Sequence, residues 1–222
     1  MDRTEQAWGR VNYVIYADSP EEINKRYSKW ADTYDVDKIV LCSVANGELA
    51  KNSLKHIKND ESALLLDLAA GTGLVAKAFL SQGYKGIMDA MDWNEEMLEK
   101  AKQKGLYRKH ICWQITSEVQ LPVDVGSYDT VTCGGALASK QLEARCIPNM
   151  ARCLKPGGII VFNTRKTEAN KEFVLKLNSV MDELVQSGQL IKIEVKEIPY
   201  CQSESKSTGD VMKALLYIYK KI

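Results

Sequence analysis

The stretch Ala63-Leu64-Leu65-Leu66-Asp67-Leu68-Ala69-Ala70-Gly71-Thr72-Gly73 decides the fold. Its first six residues read as a short strand that is apolar on both faces. Such strands lie inside parallel sheets with a helix on each side. The small residues that follow let a ligand approach the backbone where a side chain would collide. They open a helix expected from about Leu74 to Gln82, whose N-terminal N–H groups and dipole favour an anion. In open α/β sheets ligands bind at this place, beyond the carboxyl ends of the strands. The spacing is neither the G-x-G-x-x-G of a dinucleotide site nor the G-x-x-x-x-G-K-[ST] of a P-loop.

Working outward, strands are expected at Gly86 to Asp92, His110 to Ile115, Tyr128 to Cys133 and Ile159 to Thr164. Helices fall between them at Glu95 to Lys104 and from Pro148 to about Leu154, and Lys155-Pro156-Gly157-Gly158 reads as the turn before strand five. This alternation means a parallel sheet with right-handed crossovers. After a helix from Glu168 to Ser187 the rhythm changes. Ile191 to Lys196 alternates strictly, which suits an edge strand, whereas Ala214 to Tyr219 is apolar on both faces and belongs inside. The later strand therefore sits between strand five and the earlier one and runs antiparallel to the rest.

Upstream, Ser19-Pro20-Glu21-Glu22 is a helix start, with Ser19 as cap, Pro20 in the first turn and Glu22 placed for a capping box. That helix is expected to reach about Thr33. A second helical stretch spans Val36 to Ile57, with Asn46-Gly47 as its break. The chain divides into a helical lid, residues 1–62, on a sheet unit, residues 63–222, that together make one domain.

The 222 residues carry 30 Lys+Arg against 29 Asp+Glu, a formal net charge of +1. That balance disfavours a protein gripping nucleic acid through a strong basic field. The segment Met1 to Arg10 has no apolar signal-peptide core, and no apolar run is long enough for a bilayer. The expectation is a cytoplasmic protein with no membrane partner. Six cysteines without a C-x-x-C pair, and only two histidines, give no metal site. Buried free thiols are the reading for the cysteines, Cys133 included.

The run from Asp67 to Gly73 has the form D-x-[GA]-x-G-x-G and resembles motif I of the class I S-adenosylmethionine-dependent methyltransferases. Three further landmarks are similar to that family's: Asp92-Trp93-Asn94-Glu95-Glu96-Met97-Leu98, Leu121-Pro122 with Tyr128-Asp129-Thr130-Val131, and Leu154-Lys155-Pro156-Gly157-Gly158. Together they cover about residues 60 to 165. Tyr27-Ser28-Lys29-Trp30-Ala31-Asp32-Thr33-Tyr34-Asp35 resembles the lid of one subfamily, as does Gly134-Gly135-Ala136-Leu137.

The resemblance implies a Rossmann-like α/β fold with a seven-stranded, mostly parallel sheet of order 3-2-1-4-5-7-6, strand 7 antiparallel. It implies S-adenosylmethionine as cofactor, with S-adenosylhomocysteine as product. Ala69, Ala70, Gly71, Thr72 and Gly73 would cradle the methionine part. Asp67 would touch its amino group through water or hold the loop through backbone hydrogen bonds. Asp92 would accept both ribose hydroxyls, and Trp93 and Met97 would flank the adenine. Thr116, Ser117 and Glu118 occupy the loop that contacts the adenine amino group. Trp30, Tyr34 and Gly134 would complete the site.

Two departures from the pattern matter. Ala69 stands where the family usually has glycine, which calls for a negative φ. No Asp occupies the adenine loop. Trp113 reads as core, and Asp89 in mid-strand has no evident reason. No general base stands out, so no catalytic residue is assigned. The acceptor pocket is expected from the N-terminal helices, residues 134 to 143 and residues 201 to 212. A small-molecule acceptor is the leading reading. Methylation of protein or RNA, and non-catalytic S-adenosylmethionine binding, are the alternatives.

Overall fold

The computed structural model describes residues 2–201 and 212–222. Eight helices and seven strands follow in chain order among the described residues: α1 (Arg3–Ile15), α2 (Pro20–Trp30), α3 (Tyr34–Val40), α4 (Ala45–Ser53), β1 (Leu64–Leu68), α5 (Leu74–Ser81), β2 (Ile87–Asp92), α6 (Glu95–Gln103), β3 (Lys109–Cys112), β4 (Tyr128–Gly134), α7 (Ile147–Arg152), β5 (Leu154–Lys166), α8 (Lys171–Gln186), β6 (Leu190–Cys201) and β7 (Met212–Lys221).

The strands form one sheet in the order β3-β2-β1-β4-β5-β7-β6. Pairs from β3 to β5 are parallel, and β7 is antiparallel to both β5 and β6. This is the order expected from the sequence. β7 shows why the pattern was readable: Tyr217 and Tyr219 pack on one side of the sheet with Phe162 and α8, while Leu216 and Ile218 pack on the other with Val161 and Leu65. A strand with two buried faces has to be interior.

The parallel part positions the site. β1 lies between β2 and β4, so the chain leaves β1 in opposite directions and opens a crevice at the carboxyl ends of these strands. Asp89, unexplained in the sequence, is 1% exposed and takes a two-pronged contact from the Arg108 guanidinium, 2.9 and 2.6 Å, plus the Tyr128 hydroxyl at 2.9 Å. It clamps β2 to β4 and to the segment entering β3.

Several expectations need correction. α1 lies in the segment expected to be helical, but its start has a signal not assigned above: Asp2 and Glu5 form a full capping box. At α2, Ser19 caps Glu22 at 3.2 Å, but the Glu22 carboxylate turns to Arg26 at 2.8 Å instead of closing the box. The break between the next two helices is not at Asn46-Gly47, which lies inside α4. It falls at residues 41–44, where Cys42 has φ +49° and Val44 N–H donates to Tyr200 O at 3.0 Å. Pairing to the end of β6 thus ends the helix, a tertiary cause with no local signal. Lys155 to Gly158 is no turn before β5. Tyr128 pairs with Leu154 and Thr130 with Ile159, so the four residues bulge out within the strand opposite Asp129. Trp113 is not core: β3 is the sheet edge, and Trp113 beyond it is 36% exposed. No helix among the described residues is long and apolar enough to cross a membrane, and among them no cluster of His, Cys, Asp and Glu could hold a metal.

Candidate active site

A cavity of about 280 Å³ lies at the carboxyl ends of β1, β2 and β4 under α2. Its floor is built from the two loops the sequence marked. Asp92 ends β2. One carboxylate oxygen accepts from Gly71 N–H at 2.7 Å and the other from Asn94 N–H at 2.8 Å. Burial raises the Asp92 pKa, and these backbone bonds oppose the rise. Asn94 caps α6 by accepting from Met97 N–H at 2.9 Å, and its amide reaches up to Asn24 and Ser28 of α2. Asn94 therefore ties the lid to the floor.

Of the residues singled out in the sequence, Tyr34, Ala69, Gly71, Asp92, Trp93, Met97, Thr116, Ser117, Glu118 and Gly134 line this cavity. The others do not. Asp67 is fully buried behind the loop. Its carboxyl accepts from Tyr107 at 2.6 Å and Thr132 at 2.9 Å, both side-chain hydroxyls, so it holds the loop's base through side chains, not through backbone groups. Burial pushes its pKa up to about 7 against the pull of those two bonds. Ala70, Thr72 and Gly73 stand behind the cavity wall. The amides of Ala70 and Gly73 are committed to Met91 O and Ala70 O, and that of Gly71 to Asp92. The loop thus offers shape more than the free donors expected of it.

Ala69 corrects a second expectation: its φ is +52°, not negative. That conformation costs an L-residue roughly 1–2 kcal/mol. Gly71, at φ +54°, faces space with nothing within 4 Å of where a Cβ would stand. At Gly134 the reverse holds, since a Cβ would meet Val75 Cγ2 at 2.4 Å.

Trp30 lies one layer back. It stacks on Tyr27 with ring centroids 6.0 Å apart and meets Tyr34 edge-on at 4.7 Å. Its indole N–H donates to Asp37 at 2.6 Å, and Arg10 grips the same carboxylate at 2.5 and 2.6 Å. Trp30 therefore locks α1, α2 and α3 together, and faces only a smaller cavity behind the first. A second latch joins lid to loop: Asp35 accepts from Thr72 Oγ1 at 2.6 Å and from Lys104 Nζ at 2.5 Å, while Lys104 also donates to Thr72 O at 2.6 Å.

Residues that sequence reasoning missed include Pro20, Ile23, Asn24 and Tyr27. They share one stripe of α2, a spacing visible in the sequence. Asn149, which holds the carbonyls of Thr116, Ser117 and Val119 at 3.1 to 3.3 Å, left no such signal. From the expected acceptor loops, Gly134, Gly135, Ala136 and Lys140 to Glu143 line the cavity, while most of residues 201 to 212 lie outside the described residues. Cys133 is fully buried, its thiol pushed up by burial.

The residues present fit an adenosyl group carrying a methionine. Asp92 offers a carboxylate to a pair of hydroxyls, Trp93 and Met97 offer apolar walls to a flat base, and the open face of Gly71 admits a close approach. The Glu118 carboxyl, held below its usual range by the Ser117 hydroxyl at 2.7 Å, stays an acceptor for an exocyclic amine.

Comparison with known proteins agrees with this geometry. Residues 66–162 match a family model described as a methyltransferase domain. Human methyltransferase-like protein 27 is 34% identical over 164 residues, 73% of this chain. The chain covers 65% of that relative's length. The demethylmenaquinone methyltransferase of Bacillus cereus strain AH187 is 26% identical over 208 residues, 90% of this chain and 86% of the relative. Among solved structures, the [4+2]-cyclase SpnF superimposes with a TM-score of 0.68 at 13% identity, over 92% of this chain and 97% of that one. Such a likeness shows the fold and leaves the reaction to be argued from the site.

Proposed function

We propose, from the premise that residues 66–162 are a methyltransferase domain of the class I, S-adenosylmethionine-dependent kind, that the whole chain is an enzyme transferring a methyl group to a small-molecule acceptor. The observation that carries the reading is the lid over the site: α2 is bonded to the floor through Asn94, and Tyr27 and Tyr34 line the cavity beside it. A recessed cavity of about 280 Å³, partly covered by a helix, admits a compact acceptor more readily than a folded macromolecule. The name of the Bacillus relative, a demethylmenaquinone methyltransferase, supports an acceptor of that class. Kinship with the Williams–Beuren syndrome region methyltransferase-like protein is part of the same proposal, supported by the Tyr27–Asp35 segment and the Gly134–Leu137 stretch.

When bound, S-adenosylmethionine supplies a methyl group made electrophilic by its positive sulfur. Asp92 fixes the ribose and, through Gly71, the loop beside it. Trp93 and Met97 hold the base, and Glu118 with Ser117 meets its edge. Tyr27 and Tyr34 exclude water from above; burial pushes the Tyr27 hydroxyl up to about 12, so it stays protonated at neutral pH. Among the described residues, the carboxylates that line the cavity, Asp92, Glu118 and Glu143, are engaged by donors of the chain itself, so holding donor and acceptor in line is the main contribution.

The test is transfer of labelled methyl from S-adenosylmethionine into extract fractionated into small molecules, protein and RNA. Label in the small-molecule fraction, lost with Asp92→Ala, is the expected result. Label confined to protein or RNA would replace the acceptor class. Failure of the intact, folded chain to bind S-adenosylhomocysteine would remove the reading altogether.

A further inference from the structure

Behind the main cavity lies a smaller one of about 50 Å³, which shares Tyr27, Tyr34, Gly134, Gly135 and Gln141 with it. Two cations line it: Lys38 of α3 and Arg165 near the end of β5. Both are half-buried, and neither makes an ion pair among the described residues. Lys38 Nζ stands 5.6 Å over the Trp30 ring and 5.1 Å over the Tyr34 ring.

This is unlike the other half-buried cations in and beside the lid. Arg10 has Asp37, Arg26 has Glu22, Lys100 has Asp32 and Lys104 has Asp35. Among the described residues, no acidic one lines the small cavity. Its remaining polar groups are neutral. The hydroxyls of Ser43 and Tyr200 have no hydrogen bond among the described residues, and Asn46 and Gln141 bring amides. Two like charges taken partly out of water, with donors around them and no counter-charge, are a site for an anion.

We propose that this cavity anchors the acceptor, and that it takes an oxyanion on the acceptor, carboxylate or phosphate, between Lys38 and Arg165. The proposal rests on the methyltransferase reading for the word acceptor, and on the residues alone for the anion. The shared wall at Gly134 and Gly135 lets a molecule anchored by its anionic head extend into the larger cavity, where the methyl donor is held. A volume of about 50 Å³ suits a head group and not a polyanionic strand. In the transfer itself, a lone pair on the acceptor forms the bond to the methyl carbon as the carbon–sulfur bond breaks. The electron pair stays on sulfur, giving S-adenosylhomocysteine, and any proton on the attacking atom passes to water.

The test uses the full chain, free and loaded with S-adenosylhomocysteine, followed by NMR of ¹⁵N-labelled protein. Acetate and inorganic phosphate are the probes, acetamide is the uncharged isostere of acetate, and chloride keeps ionic strength constant. Saturable shifts with acetate or phosphate, at Arg165 Nε and in α3, are expected, and none with acetamide. The tighter of the two oxyanions identifies the head group. Arg165→Gln and Lys38→Gln should each raise the dissociation constant at least about 5-fold, with Arg165→Lys between wild type and Arg165→Gln. S-adenosylhomocysteine affinity should change less than about 2-fold. Lys38 lies on a surface helix, so its variant serves if Arg165→Gln fails to fold. Acetamide binding as well as acetate, or unchanged oxyanion affinity in the folded variants, overturns the proposal. Loss of S-adenosylhomocysteine binding by the wild type would fall on the methyltransferase reading, while the oxyanion titration of the free protein still decides this one.

Discussion

The amide of Gly71 donates to the carboxylate of Asp92 at 2.7 Å, so the residue proposed to hold the ribose also fixes the loop beside it. Removing Asp92 therefore breaks two things at once. Asp92→Ala loses the pair of charge-assisted bonds to ligand hydroxyls, about 1.5–3 kcal/mol each, and releases the Gly71 loop. S-adenosylhomocysteine affinity measured by calorimetry should fall at least about 100-fold. Asp92→Asn, which keeps an acceptor for Gly71, should fall less. Wild-type affinity in Asp92→Ala would mean that the ligand does not sit at the carboxyl end of β2.

The bond between Asp35 and Thr72, shared with Lys104, makes lid closure depend on a half-buried ion pair. Asp35→Asn keeps the shape and removes the charge, at a cost of about 1 kcal/mol. Hydrogen exchange should rise in α3, and S-adenosylhomocysteine affinity should weaken about 5-fold. High salt should weaken the wild type toward the variant. If exchange in α3 does not change, the contact is incidental to closure.

The left-handed Ala69, at φ +52°, yields the opposite kind of prediction. Ala69→Gly relieves roughly 1–2 kcal/mol of strain and adds about 0.5–1 kcal/mol of unfolded-state entropy. Urea unfolding should therefore show a variant as stable as wild type or up to about 1 kcal/mol more stable. A clear loss of stability would show that the alanine methyl makes a packing contact that outweighs the strain.

What the sequence made legible is what local chemistry or a two-faced pattern dictates. That Asp92 and Gly71 line the cavity could be read because a strand–loop–helix unit opens its crevice within a few residues of the strand ends. The sheet order could be read because Tyr217 and Leu216 are apolar on opposite faces of β7. The features that stayed hidden are set across the fold. The break at Cys42 follows from pairing with the end of β6, and the bulge at Lys155–Gly158 from register with β4. Trp30 looked like a lid residue over the ligand. It faces Asp37, a carboxylate that Arg10 of α1 grips from the other side of a long sequence separation. The capping pair Asp2 and Glu5 was there to be read.

Asp89 and Arg108 separate stability from function. Arg108→Met leaves a carboxylate that is 1% exposed with only the Tyr128 hydroxyl. Loss of a buried partner costs about 3–5 kcal/mol. Because the guanidinium is 42% exposed, about 2–3 kcal/mol is the expected loss in urea unfolding. S-adenosylhomocysteine affinity of the folded variant should not change, since the pair lies outside the cavity lining. Adding Asp89→Asn should restore part of the stability, and a double variant worse than the sum of its parts would contradict the pairing.

Asp67 gives the pH dependence. In the folded protein burial raises its carboxyl to about 7, above an unfolded value of about 3.9. Folding therefore takes up a proton between those two values. This group's contribution to stability is greatest below about pH 4, falls as pH rises to about 7, and is flat above. Asp67→Asn removes the titration. Its amide can donate to the Tyr107 or Thr132 hydroxyl once that hydroxyl turns to accept. Urea unfolding from pH 5 to pH 8 should show the wild type losing about 2.5 kcal/mol relative to Asp67→Asn, the part of the roughly 4 kcal/mol total that falls in this window. Parallel profiles for the two proteins would place the proton elsewhere and leave Asp67 ionised in its bonds to Tyr107 and Thr132.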